Sequence, residues 1–159
     1  MPPRVACTGH RAYDHDVETW LRRELRTLLG EHALRPLVGV TCLAEGADQL
    51  FAHTVLEVGG TLDVVVPAAD FRDHLPAGAK LEYDRLLARA SSRYDLDEPS
   101  ATPDAYVKGN LAMLDRAEAL VAVWDGEPAR GAGGTAEVVA AAQAQGKPVK
   151  VLWPEGARR

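Results

Sequence analysis

The sequence predicts an α/β chain: a single-domain, Rossmann-like three-layer fold with a mostly parallel central sheet of about five strands. Three observations predict it. Short, Val-rich apolar runs alternate with amphipathic stretches along the whole chain, an order that demands parallel pairing through crossover helices. The run at 62–66 is nearly continuous in apolar residues, as expected of a strand covered on both faces. The run at 119–124 feeds a glycine-rich loop that opens an alanine-rich helix, so backbone N–H groups and a positive dipole end face whatever lies beyond the strand.

Each element has its own local signals. Residues 4–8 read as a first strand stopped by Gly9. Asp14 or Asp16 can cap the next helix, whose apolar positions Val17, Trp20, Leu21, Leu25, Leu28 and Leu29 keep helical spacing up to Gly30. Arg22, Arg23 and Arg26 fall on its other face and read as a solvated surface. Pro36 precedes a second strand at 37–42, and a second helix at about 45–58 turns Ala47, Leu50, Phe51 and Val55 inward. After the third strand, closed by Pro67, a helix at 79–90 carries Leu81, Leu86 and Leu87. The polar, proline-containing segment 91–103 reads as a mobile loop or lid. A helix from Asp104 to Ala117 comes next, with Val107, Leu111 and Leu114 inward. The strand at 119–124, the glycine loop, a helix at 135–145 and a last strand at 149–153 complete one domain with no internal repeat.

Composition narrows the function. The 159 residues suit one domain with a real core, and 47% hydrophobic with 26% charged content is ordinary for a soluble globule. A net charge of −5 argues against broad nucleic-acid binding. No run approaches the ~20 apolar residues of a membrane span, and none near the start has the form of an export signal, so a cytoplasmic protein is expected. Cys7 and Cys42 are then expected to be reduced, buried thiols.

In an open parallel sheet, ligands bind beyond the carboxyl ends of the strands, where strand order reverses. The residues just after each strand are therefore the test, and unusual ones collect there. Gly9, His10 and Arg11 come after the first strand. Gly9 permits a close approach to backbone; Arg11 offers a fork for phosphate or carboxylate; His10 is either an acid–base group or a structural donor. Glu45 and Asp48 open the second helix, as caps and dipole partners or as holders of ribose hydroxyls. Asp70 and Asp125 come after later strands, where sugar or base contacts compete with turn chemistry. In the glycine loop, Gly131, Gly133, Gly134 and Thr135 form the expected phosphate cradle. Glu137 stabilises the helix dipole, or stands near an anomeric carbon and assists cleavage of an N-glycosidic bond. The histidines lack zinc-site spacing, and the Walker lysine with its Ser/Thr is absent, so no metal or cofactor is expected.

The segment Leu43-Ala44-Glu45-Gly46-Ala47-Asp48, with Ala52-His53 and Leu56-Glu57-Val58-Gly59-Gly60-Thr61, resembles the core of the DprA/Smf proteins. Thr8-Gly9-His10-Arg11 is similar to their first-strand G-S-R. Gly133-Gly134-Thr135-Ala136-Glu137 resembles the P-G-G-x-G-T-x-x-E signature of the LOG-type phosphoribohydrolases, although Glu137 lies two positions beyond Thr135 instead of three. One position turns a helical side chain by about 100°. Together the motifs resemble the SLOG superfamily over nearly the whole chain. That resemblance implies a Rossmann-like fold, a nucleotide or nucleotide-derived ligand, and a homodimer.

Three readings stay open. The first is an enzyme that cleaves the base–ribose bond of a nucleoside 5′-monophosphate, with Arg11 and Glu137 as its catalytic groups. The second is a sensor that binds a nucleotide or ADP-ribose-like ligand without turnover. The third is single-stranded DNA binding in the DprA manner, against which the acidic charge weighs.

Overall fold

In the computed structural model the described residues are 2–31, 36–128 and 134–157. Among them six strands form one parallel sheet, β1 Arg4–Gly9, β2 Val38–Thr41, β3 Thr61–Val66, β4 Ser92–Asp95, β5 Ala119–Val123 and β6 Val149–Leu152. Their spatial order is β4-β3-β2-β1-β5-β6. The chain therefore builds outward from β1 to one edge, returns, and builds to the other, and strand order reverses between β1 and β5. Among the described residues five helices connect the strands: α1 His15–Gly30, α2 Ala47–Glu57, α3 Ala77–Ala88, α4 Pro103–Asp115 and α5 Thr135–Ala144. A 3-10 turn, Phe71–His74, lies between β3 and α3.

Two apolar clusters sandwich the sheet, which accounts for the three layers. On one side, Val17, Leu21, Leu25 and Leu29 of α1 and Phe51 and Val55 of α2 pack with Val5, Cys7, Leu62 and Val64. On the other, Met113 and Leu114 of α4 and Val138, Val139 and Ala142 of α5 cover Ala6, Val40, Val65, Leu120 and Ala122. Alternate residues of β1 and β3 thus enter opposite clusters, the period-2 consequence of a pleated strand. The caps agree with their chemistry. Asp14 accepts from the Val17 amide at 3.0 Å to start α1, and Thr102 accepts from the Ala105 amide at 3.1 Å to start α4.

The segment expected to be a mobile loop differs. Residues 92–95 form β4, paired with β3 in the register Asp63↔Ser92 to Val66↔Asp95. All four residues are exposed and show no apolar alternation, so no pattern in the sequence announces the strand. It is held by the backbone ladder to β3 and by Tyr94, whose ring carries the Arg116 guanidinium at 5.2 Å. The rest of the segment is fastened too. Ala69 N–H donates to the Glu98 carbonyl at 2.8 Å, and Ala101 N–H donates to Asp70 at 2.6 Å. Leu111, expected inward, is 42% exposed, and Leu81 on α3 is 53% exposed.

Asp63 in β3 is 1% exposed and is clamped by Arg4 and by Arg116, whose Nε lies 3.0 Å from Oδ2. Burial alone would raise this carboxyl, but the hydrogen bonds from Arg116, Ser92 and Arg4 hold it below its ordinary value. The clamp ties the start of β1 and the end of α4 to β3, leaving the opposite rim of the sheet for other work.

Candidate functional site

The carboxyl end of β1 runs into a tight space. A Cβ placed on Gly9 would lie 2.5 Å from the Ala47 Cβ and 2.7 Å from the Val123 Cβ. The strand end is therefore squeezed between the start of α2 and the end of β5, and only glycine fits. Gly46, at the N-terminus of α2, has φ +82° and ψ −123°, and a Cβ there would meet the Arg11 carbonyl oxygen at 2.6 Å. The Ala47 amide donates to the His10 carbonyl at 3.1 Å. This stretch of backbone is fixed from both sides.

His10 is buried and joins two loops. Its own amide donates to the Val123 carbonyl at 3.1 Å, and its Nε2 accepts from the Asp125 amide at 3.1 Å. An Nε2 that accepts places the ring proton on Nδ1 in the neutral form, a tautomer assigned from geometry. The Asp125 carboxylate lies 3.3 Å from the same nitrogen, and the Trp153 ring meets the imidazole edge-on with centroids 5.1 Å apart. Asp125 also accepts from the Glu127 amide at 3.0 Å, closing a turn after β5, while Trp124 Nε1 donates to the Glu127 carbonyl at 2.8 Å.

Arg11 points the other way. Its Nη1 lies 3.0 Å from Glu45 Oε1, and its guanidinium sits 5.5 Å from the centroid of the Tyr106 ring on α4. Desolvation works against the charge, but the nearby carboxylates of Glu45 and Asp48 hold the Arg11 pKa above its ordinary value. Glu45 Oε2 is buried and has no hydrogen-bond partner among the described residues. A buried carboxylate oxygen without a donor is destabilising unless something supplies one.

Asp48 lies beneath this pair, 8% exposed, with Oδ2 accepting from the Ala44 amide at 3.3 Å. Burial pushes its carboxyl up to about 7, with the Ala44 hydrogen bond and Arg11 opposing and Glu45 reinforcing. Burial likewise raises the thiols of Cys7 and Cys42 beside it, which are free and, as expected, buried.

The remaining expected residues are more scattered. Asp70 accepts from the Ala101 amide and lies 3.2 Å from His74 Nε2. Gly134 is the residue before α5, which takes no side-chain cap; Thr135 is buried, and Glu137 is exposed in the first turn. Gly131 and Gly133 lie outside the described residues. The structure thus joins Arg11 to Glu45, sets Asp48 beneath them, and joins His10 to Asp125. Asp70 is instead engaged by His74 and by the segment after β4. Sequence reasoning misses Tyr106, which sits between the apolar positions of its helix, although an aromatic within reach of a strand-end arginine is a recognisable partner.

A groove of about 330 Å³ opens beside Arg11 along the outer side of α2. Tyr13, Glu18, Arg22, His53 and Glu82 line it. Among the described residues, no group of three or more His, Cys, Asp or Glu is placed to hold a metal, and no helix is long and apolar enough to cross a membrane.

No protein-family model and no curated protein sequence matches the chain. Solved structures do. DNA processing protein A (DprA) from Streptococcus pneumoniae superposes with a TM-score of 0.73 at 18% identity, over 98% of this chain and 52% of that one. DprA from Helicobacter pylori, described for its single-stranded DNA binding mode, gives 0.71 at 18% identity over 98% and 68%. The Moco carrier protein from Chlamydomonas reinhardtii gives 0.60 at 22% identity over 98% and 80%. The fold is that of these DprA and Moco carrier protein structures. At these identities the likeness concerns the fold, and the chain spans about half the length of the pneumococcal DprA. Within this fold, the reversal between β1 and β5 sets Arg11, Glu45 and the start of α5 on the carboxyl rim, the general place for ligands in open α/β sheets.

Proposed function

We propose that the protein binds a nucleotide or nucleotide-derived phosphate ligand at the rim between β1 and β5. The observation that carries this reading is the buried, unpartnered Oε2 of Glu45 beside the Arg11 guanidinium. A ribose hydroxyl is the donor that such an oxygen lacks, and a phosphate is the anion that the Arg11 fork suits. The N-terminal turn of α5 adds backbone donors and a positive dipole end on the same rim. Arg11 is parked on Glu45 and Tyr106, from which an arriving phosphate can draw it.

Turnover is the finer part of the reading. Hydrolysis of the N-glycosidic bond of a nucleoside 5′-monophosphate needs a carboxylate near the anomeric carbon, a role open to Glu137 in the first turn of α5. Without turnover, the same pocket acts as a sensor.

Calorimetric titration with AMP, GMP, CMP and UMP, and with a short oligo-dT, tests the binding. One or more monophosphates should bind, and Arg11→Ala should weaken that binding about 10- to 100-fold, the worth of one or two charge-assisted hydrogen bonds. Unchanged affinity in Arg11→Ala sinks the phosphate contact. Tight oligo-dT binding with no monophosphate binding replaces the reading with single-stranded DNA recognition. Incubation of the wild-type protein with each bound monophosphate, assayed for free base and ribose 5-phosphate, decides between enzyme and sensor. If Glu137 is the catalytic carboxylate, Glu137→Gln abolishes release while binding persists.

A further inference from the structure

The groove along α2 shares Arg11 and Gly46 with the rim and runs away from it towards His53 and Glu82. Its carboxylates are each held by a basic side chain, Glu82 by Arg85 at 2.8 Å as well as by His53. Arg22 Nη2 lies 3.2 Å from Glu18 Oε1, and His53 Nε2 lies 2.9 Å from Glu82 Oε2. Arg11 at the rim end is paired with Glu45. Such a lining exerts little net field, so a second phosphate gains nothing from entering, and the carboxylates repel it. A neutral group that carries both donors and acceptors is suited instead. The Arg22–Glu18 pair leaves guanidinium N–H groups and carboxylate lone pairs for it. Burial raises the Tyr13 hydroxyl well above its ordinary range, so it stays protonated and can donate. The volume of about 330 Å³ falls at the small end of ligand sites, enough for one base and not for a chain of them.

Resting on the phosphate reading above, we propose that this groove is the base subsite: with the ribose held at Glu45, the ligand's base extends past Arg11 along α2, between α1 and α3, an orientation that supports binding without turnover over cleavage at Glu137. The ligand class is then a nucleoside with a single phosphate group. Arg22, which the sequence places on a solvated face, and His53 become base-contacting residues.

The test compares each nucleoside monophosphate with ribose 5-phosphate and with the corresponding nucleoside, titrated into the wild-type protein and into Ala12→Trp. Ala12 lines the groove and is exposed, so an indole there fills the space without entering the core. At least one monophosphate should bind 10-fold or more tightly than ribose 5-phosphate to the wild type. In Ala12→Trp that preference should fall to about 3-fold or less. Arg22→Ala and His53→Ala, which shorten half-buried side chains outside the core, should each reduce it as well. A preference that survives all three substitutions, or no preference in the wild type, overturns the subsite. A nucleoside that binds as tightly as its monophosphate overturns the phosphate reading instead, so the two failures are distinguishable.

Discussion

Between pH 4 and pH 7 the protein should lose stability as pH rises, and Asp48→Asn should remove that loss. The native carboxyl of Asp48 is pushed up to about 7 from 3.8, chiefly by burial. Over that interval the unfolded chain has released the proton while the native state keeps it. Unfolding therefore releases a proton, and the slope of stability with pH is negative until the native group also ionises near pH 7. About three pKa units correspond to at most ~4 kcal/mol, accumulated between pH 4 and 7 and flat above. Asparagine keeps the shape and the oxygen that accepts from the Ala44 amide. Urea unfolding of both proteins from pH 4.5 to 8 reads the difference directly, because the other titrating groups cancel between them. The variant should be the more stable of the two at pH 8. Parallel stability profiles would mean that Asp48 ionises normally and that its burial is relieved in some other way.

A second large effect is expected at the glycines that frame the rim. Gly46→Ala should cost about 3–5 kcal/mol. A positive-φ backbone contributes about 1–3 of that in an L-residue, and overpacking a further 1–3. The clash has no soft outlet, because the atoms in the way are the carbonyl groups of His10 and Arg11, 2.6–2.7 Å from the added carbon. Gly9→Ala meets side-chain carbons of Ala47 and Val123 and should be of similar severity. Gly30 supplies the contrast. It ends α1 with nothing within 4 Å of an added Cβ, so Gly30→Ala should be stabilising by a few tenths to 1 kcal/mol. Denaturant midpoints of the three variants decide the matter. A Gly46→Ala protein within 1 kcal/mol of wild type would show that the β1 and α2 loops are looser than the structure has them.

These expectations rest on features of unequal legibility. The alternation of Val-rich runs with helical spacing is a local property, and it is enough for the layers, the parallel sheet and most element bounds. The strand-end residues are legible too, because a doubly wound sheet brings every strand's carboxyl end to one rim. Gly9 at the end of β1 and Asp14 at the start of α1 carry their signals within a few residues. Strand β4 carries none, since Ser92–Asp95 is exposed on every residue and exists through its pairing with β3.

By itself, then, the sequence determined the fold class and which strand-end residues share one rim, Arg11 among them. Only the tertiary structure decided the partners of those groups. Arg11 meets Glu45 and Tyr106 across separations that no periodicity spans, and His10 meets Asp125 from the far side of the chain. The orphaned oxygen of Glu45 and the raised carboxyl of Asp48 are consequences of burial. Burial depends on what the rest of the chain packs over a residue, whereas helical and strand spacing depend only on near neighbours.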